Sequence, residues 1–398
     1  MQEAQRDGQR RHSGSGGNGG SRGKGGNGDG RSAATQHAIV RETVRALHLG
    51  QPLVDEGLCV VPLHCGFRAA SKYVLLQQAL QRGTMTITEA SDAGSVPHLH
   101  ATNKGPWPVL VFDGEELVGA KQNRISNATI LVGVGKTVLP VSCVEQGRWS
   151  HRTASFAEGS YASHPRLRQE KEQQVRLSLR AEQRQSADAA HRPPDAPPSE
   201  RAQSTTRGGR VNHVDEPQEV RAMRFRSDQG AVWEEVARTQ AQMCVDSPTG
   251  ALNDTYEAGK DRLEKILQNL KMEETPSESQ GGGSFRGGRP VGVAVFVGGE
   301  FVCLDLLRPG RRFGLLYPKL LRGYALEAML RKARAPKGFD PEVETLRLLA
   351  GLMETEVAEQ PSADLGQDLR LEGGQLAGSG LSWEDELVQL SVFPKVLV

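Results

Sequence analysis

Two stretches of the chain concentrate side chains able to do chemistry. The first is Gly114-Glu115-Glu116-Leu117-Val118-Gly119-Ala120-Lys121-Gln122-Asn123-Arg124-Ile125, the second Val141-Ser142-Cys143-Val144-Glu145-Gln146-Gly147-Arg148-Trp149. Between them they hold three glutamates, three cations, three carboxamides and an indole. Glu115, Glu116 and Glu145 are candidates for general base or cation ligand. Glu145 is the favoured base, with Glu115 and Glu116 as cation ligands or secondary acids. Lys121, Arg124 and Arg148 suit phosphate or carboxylate, the arginines through a planar fork of donors. Gln122 and Asn123 can read a base, an amide or a ribose hydroxyl, and Trp149 can stack on a ring. Gly114, Gly119 and Gly147 allow close backbone approach. The competing reading is a buried ion-pair and hydrogen-bond network, with Trp149 in the core and three acids offsetting three bases.

The elements that must position these groups can be read from periodicity and turn residues. Leu58–Leu63, Thr84–Glu89 and Val109–Phe112 read as strands, the last ending in the Asp113-Gly114 turn. Ala128–Val134 and Val138–Glu145 are apolar strands flanking Gly135-Lys136-Thr137, a pattern that predicts a hairpin. In that register Glu145 faces Ser126 or Asn127, and Gly147-Arg148-Trp149 lies beside Gln122-Asn123-Arg124. The two polar stretches then meet. Val291–Val297 and Phe301–Leu306 predict a second hairpin around Gly298-Gly299, and Leu387–Phe393 a last strand. Helical spacing marks Tyr73–Arg82, Pro165–Arg180, Ala231–Val245, Tyr256–Met272, Tyr317–Lys332 and a weaker stretch from about 341 to 357. Asp254-x-x-Glu257 has the form of a capping box. Strands and helices are grouped rather than alternating, which predicts an α+β fold with antiparallel or mixed sheets built from hairpins and packed helices.

Composition limits how much of the 398 residues can build a core. Residues 1–44 are expected to be a disordered Gly/Arg/Ser-rich tail. An α+β domain over 45–395 is expected to be interrupted by a disordered Arg/Gln/Pro-rich insertion at 181–225 and a Gly-rich linker at 273–290. The net charge of +1 argues against a dedicated nucleic-acid surface and leaves the tail weak charge contacts at most. The five cysteines are scattered without CxxC spacing, so reduced thiols are expected. The N-terminus has no apolar leader, and no run approaches the roughly 20 apolar residues of a membrane helix. A cytoplasmic location is the expectation, with no membrane contact.

Several motifs fail on inspection. Val132-Gly133-Val134-Gly135-Lys136-Thr137 lacks the earlier glycine of a P-loop, because Ile130 stands there, and a strand-like run, Val138-Leu139-Pro140-Val141, stands where the helix should begin. His98-Leu99-His100 offers two imidazoles without a third ligand, so no metal site is assigned. Cys143 alternates as a small buried hydrophobe, and the neighbouring carboxylate disfavours its thiolate. Ser247-Pro248-Thr249-Gly250 with Asn253 and Tyr256 reads as capping at a helix start, with an anion as the sharper alternative.

The runs GEELVGAKQNRI and VSCVEQGRW, with the later VWEEV, SPTGALNDTYE, VGVAVFVGGEFVCLDLL and LLYPKLLRGYALEA, resemble the ARPP-1 domain. That family is the ARG and Rhodanese-Phosphatase-superfamily-associated Protein domain. The resemblance covers the chain from about residue 45 to near its C-terminus, apart from the insertion and the linker. It implies metabolism of ADP-ribose or a related phosphorylated nucleotide, and carries over no assigned catalytic residue. The expectation is therefore a domain that binds, and hydrolyses or transfers, a phosphorylated ribose or ADP-ribose-like nucleotide. A divalent cation is a candidate cofactor. ADP-ribosylglycohydrolase-like or rhodanese-phosphatase-like proteins are candidate partners. The alternative is a non-catalytic nucleotide sensor or protein-interaction scaffold. A purely structural role for the two stretches predicts instead that Arg124→Ala unfolds the chain.

Overall fold

A computed structural model describes residues 33–66, 71–91, 94–190, 216–272 and 288–396. Its largest element is a nine-stranded sheet, in the order Leu47–Leu49, Leu58–Cys65, Gly292–Val297, Glu300–Leu307, Glu386–Pro394, Leu376–Trp383, Gln367–Gly373 and Glu356–Pro361, with Leu53–Asp55 pairing off Leu58–Cys65. Neighbours are antiparallel throughout. The centre of this sheet is apolar on both faces because helices cover both. Val293, Val295 and Val297 pack with Phe313, Leu316 and Leu320 of the helix Gly310–Arg331. Ala294 and Phe296 point the other way, towards Val40 and Val44 of the helix Ala33–Arg45 and Leu348 and Leu352 of the helix Pro341–Met353. A strand buried on both faces has no polar alternation, which is why 291–307 reads as a nearly unbroken apolar run.

The helix Gly310–Arg331 separates that sheet from a smaller β layer. This layer holds a six-stranded sheet, in the order Phe156–Ala162, Glu115–Gly119, Arg124–Ser126, Gly135–Cys143, His98–Asn103 and Met85–Glu89. Beside it runs a three-stranded sheet of Ile130–Val132, Val109–Val111 and Val74–Leu75. The close approach of helix and strand needs a glycine, because a Cβ at Gly323 would lie 2.7 Å from the Ala162 carbonyl oxygen.

The helix Pro165–Ala190 ties the two layers together through buried charge. Arg168 makes a bidentate pair with Asp305 of the large sheet, at 2.8 and 2.7 Å, and reaches Asp113 at 3.3 Å. Lys171 pairs with the other oxygen of Asp113 and donates to the Ser126 carbonyl at 2.5 Å. Tyr324 and Ser391 donate to Asp305 at 2.6 Å each. Two cations thus meet two carboxylates, with hydrogen bonds filling the remaining positions, and that is the condition under which buried charge is tolerated.

Several expectations need correction. Gly135-Lys136-Thr137 is not a hairpin loop: it lies inside the strand Gly135–Cys143, opposite Asn103, Thr102 and Ala101. Ile130–Val132 instead pairs with Val109–Val111 in the other sheet. The helix expected over Tyr256–Met272 is two helices, Leu252–Ala258 and Lys260–Asn269, broken at Gly259 where Met329 packs closely. Asp254 is not a capping residue, because Ala251 holds the N-cap position. Residues 33–44 of the expected tail form a helix with Val40 and Val44 buried. Of the expected insertion, 181–190 continue the preceding helix, while 216–225 carry the short helix Gln218–Ala222 and the buried Phe225. Residues 1–32 of the tail, 191–215 of the insertion and 273–287 of the linker lie outside the described residues.

Candidate functional site

The first polar stretch is a strand, a tight turn and a second strand. Glu116 and Leu117 pair with Ile125 and Arg124, so Gly119 to Asn123 must reverse the chain. Gly119 and Ala120 both take positive φ, 129° and 41°, at this turn. The second stretch enters where Val141, Ser142 and Cys143 pair with Ser126, Ile125 and Arg124. The two stretches therefore meet, as expected, although in a different register and through a different turn.

Arg148 fixes the turn. Its Nη1 donates to the carbonyls of Ala120 at 2.7 Å and Ser150 at 3.0 Å, and its Nη2 reaches the Gly119 carbonyl at 3.5 Å. The same guanidinium grips Glu145, Nε to Oε1 at 2.8 Å and Nη2 to Oε2 at 2.6 Å. Glu145 also accepts from the Asn123 backbone N–H at 3.0 Å and the Thr249 hydroxyl at 3.0 Å. Burial alone would raise this carboxyl's pKa. The Arg148 guanidinium, the Asn123 N–H and the Thr249 hydroxyl outweigh burial and hold it below its ordinary value. Four donors on two oxygens make Glu145 a fixed negative charge with little capacity left to take a proton.

Glu116 is in the opposite condition. It is completely buried, its Oε1 accepts from Tyr161 at 2.7 Å and Asn123 Nδ2 at 3.3 Å, and its Oε2 has no partner. Burial pushes its pKa up to about 8; the hydrogen bonds from Tyr161 and Asn123 oppose that rise and the charge of Glu145 adds to it. Glu115 faces away from this centre and forms an ion pair with Lys319 at 2.7 Å, which Glu158 shares at 2.9 Å.

The remaining expected ligand residues divide. Asn123 lies at the centre, accepting on Oδ1 from Gly119 N–H and Arg148 Nη2, each at 3.3 Å. Gln122 accepts from Arg124 Nη1 at 2.8 Å and from the Cys143 thiol at 3.1 Å. Arg124 is fully buried, and its Nε and Nη2 have no hydrogen-bond partner. Burial lowers its pKa. Trp149 is half-exposed, with Lys121 Nζ 5.3 Å and Arg124 Cζ 5.9 Å from its ring centre. Burial raises the Cys143 thiol pKa, in keeping with a packing role.

A third segment completes the site. Glu145 bridges Ala251, Leu252 N–H donates to the Val144 carbonyl, and Gly147 N–H donates to the Thr249 carbonyl at 2.7 Å. A Cβ at Gly147 would sit 3.0 Å from the Thr249 backbone, so the close approach needs glycine there. A cleft of about 250 Å³ opens between the segments, lined by Asn123, Glu145, Arg152, Pro248, Thr249, Ala251, Asn253 and Asp254. Asp254 and Arg152 are functional candidates that sequence reasoning did not select, while Thr249 and Asn253 belong to the stretch read as capping with an anion as the alternative. The run SPTGALND did register as polar, but capping accounted for it. Asp254 instead accepts from Ser247 at 2.5 Å and faces the cleft. Arg152 is 62% exposed, with Nη2 3.9 Å from Glu145. Together these groups could hold a small, hydroxyl-rich anion: carboxylates and amides for hydroxyls, a guanidinium for phosphate.

Among the described residues no group of three or more His, Cys, Asp or Glu side chains could hold a metal ion, and no helix is long and apolar enough to cross a membrane. A family model, the ARG and Rhodanese-Phosphatase-superfamily-associated Protein domain, matches residues 46–393. No curated protein and no solved structure matches the chain.

Proposed function

The chain belongs to the ARPP-1 family, and from that premise we propose that its cleft binds a phosphorylated ribose, either free or within an ADP-ribose-like nucleotide. The observation that carries this reading is the meeting of three separate segments on one polar cleft, with Glu145 and Asn123 on one side and Asn253 and Asp254 on the other. The Asp254 carboxylate accepts from ribose hydroxyls, while ionised Glu145, its oxygens already filled by Arg148, Asn123 N–H and Thr249, holds Asn123 at the edge of the cleft. Asn253 and Thr249 add directional hydrogen bonds, and Arg152 takes the phosphate. The family description links it to ARG and rhodanese-phosphatase proteins, which supports a ligand of this class and makes such proteins the partners to test. Binding is the core of the proposal. A non-catalytic sensor draws support from the saturation of Glu145.

Hydrolysis or transfer is a second reading, favoured by the presence of two carboxylates, Glu145 and Asp254, on one cleft. The test is the melting temperature of the full chain against ADP-ribose, NAD and ribose 5-phosphate, with and without Mg²⁺ or Mn²⁺. A ligand at 100 times its Kd stabilises a fold by about 2.7 kcal/mol. The reading holds if a shift appears and Arg152→Ala weakens it, and fails if no ligand shifts the wild type. Product formation lost in Asp254→Asn or Glu145→Gln would add catalysis. Binding without product would establish the sensor.

A further inference from the structure

Glu116 does not line the cleft, yet it holds the residue that does. Asn123 is tied at three points: its backbone N–H to Glu145, its Oδ1 to Arg148 and Gly119, and its Nδ2 to Glu116. The last of these ties reaches a buried carboxyl whose other oxygen has no partner. We propose that Glu116 is a positioning residue whose neutral form sets Asn123 for the ligand, and that its ionisation weakens binding. This inference rests on the cleft being the ribose-phosphate site.

Every group facing Glu116 bears on the argument. Tyr161 donates to Oε1 and stacks on Tyr256, with ring centroids 3.5 Å apart. Burial raises the pKa of both phenols well above the ordinary value, so they stay neutral and cannot take up the charge. Glu145 lies on the cleft side and repels a second carboxylate. Lys319 attracts one, but its ammonium is already held by Glu115 and Glu158. From the neighbouring strand, Gly159 leaves room for the carboxyl, and a Cβ there would run into Oε2. The site thus lodges one neutral acid, and the cation that attracts it is committed to two other carboxylates. Ionising Glu116 would add negative charge behind a cleft that receives an anion, and would draw Asn123 Nδ2 harder onto Oε1. Linkage requires the reverse as well: a bound anion must make Glu116 harder to ionise.

The test is titration calorimetry of ADP-ribose and ribose 5-phosphate into the full chain at pH 7, 8 and 9, for wild type and Glu116→Gln. If only the neutral form binds, wild-type affinity falls about tenfold between pH 7 and pH 9, and Glu116→Gln keeps the pH 7 affinity throughout. A wild-type affinity independent of pH, or an equal fall in Glu116→Gln, overturns the proposal. A second measurement needs no ligand: the Asn123 side-chain amide resonance in selectively ¹⁵N-labelled protein. It should titrate near pH 8 in wild type and stay fixed in Glu116→Gln. A resonance unmoved by pH overturns the positioning role. If the resonance titrates while neither probe binds, it is the ribose-phosphate reading that fails, and the ligand half of this proposal fails with it.

Discussion

Glu145 and Arg148, three residues apart, form a buried bidentate ion pair that closes one polar stretch of the sequence onto the other. The guanidinium spends its remaining donors on the Gly119, Ala120 and Ser150 carbonyls and on Asn123 Oδ1, so the turn carrying Asn123 and the carboxylate lining the cleft are fixed by one side chain. Removing one partner leaves the other charged, buried and unmatched. Arg148→Ala is therefore expected to cost about 3–5 kcal/mol, read from urea denaturation. A loss under about 1 kcal/mol would mean the turn is held by something else.

Arg124 gives the opposite expectation. It is as buried as Arg148, but its hydrogen-bonded partner is the neutral Gln122 amide, and two of its nitrogens have none. Replacing an imperfectly matched buried charge by an apolar side chain of similar length is often neutral or stabilising. Arg124→Met should thus melt within a few degrees of wild type or above it. A drop of several kcal/mol would show that the guanidinium is held by a stronger interaction. Arg124→Ala is the poorer probe, because it also leaves a cavity.

Glu116 should give the fold an unusual pH dependence. Its folded pKa, near 8, lies above the ordinary carboxyl value near 4.5, so the folded chain holds a proton that the unfolded chain releases. Its contribution is fully present below about pH 4.5 and is lost as pH rises through 8. Glu116→Gln keeps the shape without the titration. Between pH 6 and pH 9 the variant should gain on wild type by an amount on the order of a few kcal/mol, measured as the difference in unfolding free energy. Parallel pH profiles for the two proteins would contradict the raised pKa.

Arg152 separates binding from folding. Its side chain is 62% exposed and stands 3.9 Å from Glu145. Surface substitutions of this kind usually move stability by less than about 0.5 kcal/mol. Arg152→Ala should keep the melting temperature and lose roughly tenfold in affinity for ADP-ribose, as expected for one charge-assisted contact. Unchanged affinity would remove the phosphate from this end of the cleft.

The meeting of GEELVGAKQNRI and VSCVEQGRW was legible in the sequence, because apolar strands with polar ends can pair in few ways. The register was not legible. Gly135-Lys136-Thr137 carries turn-like residues, yet it extends as strand because His98–Asn103 pairs alongside it. That partner precedes it by more than thirty residues, and local turn preference could not reveal it. The third wall of the cleft was hidden for a similar reason. Asp254 and Asn253 arrive there through the bridge between Glu145 and Ala251, a backbone contact that leaves no pattern in side-chain types. Burial was also hard to read. Glu115, Glu116 and Glu145 look alike in sequence, while the fold gives them an ion pair with lysine, a neutral state and a saturated anion in turn.

The chain also holds itself together by more than its peptide bonds. Gly292–Val297 inserts between Leu58–Cys65 and Glu300–Leu307, while Arg168 and Lys171 join Asp305 to Asp113. Segments from both sides of residues 191–215 are thus interleaved in one sheet and bolted by one helix. A polypeptide cut within that stretch would leave two fragments that each contribute strands to the same sheet and part of the same buried ion-pair cluster.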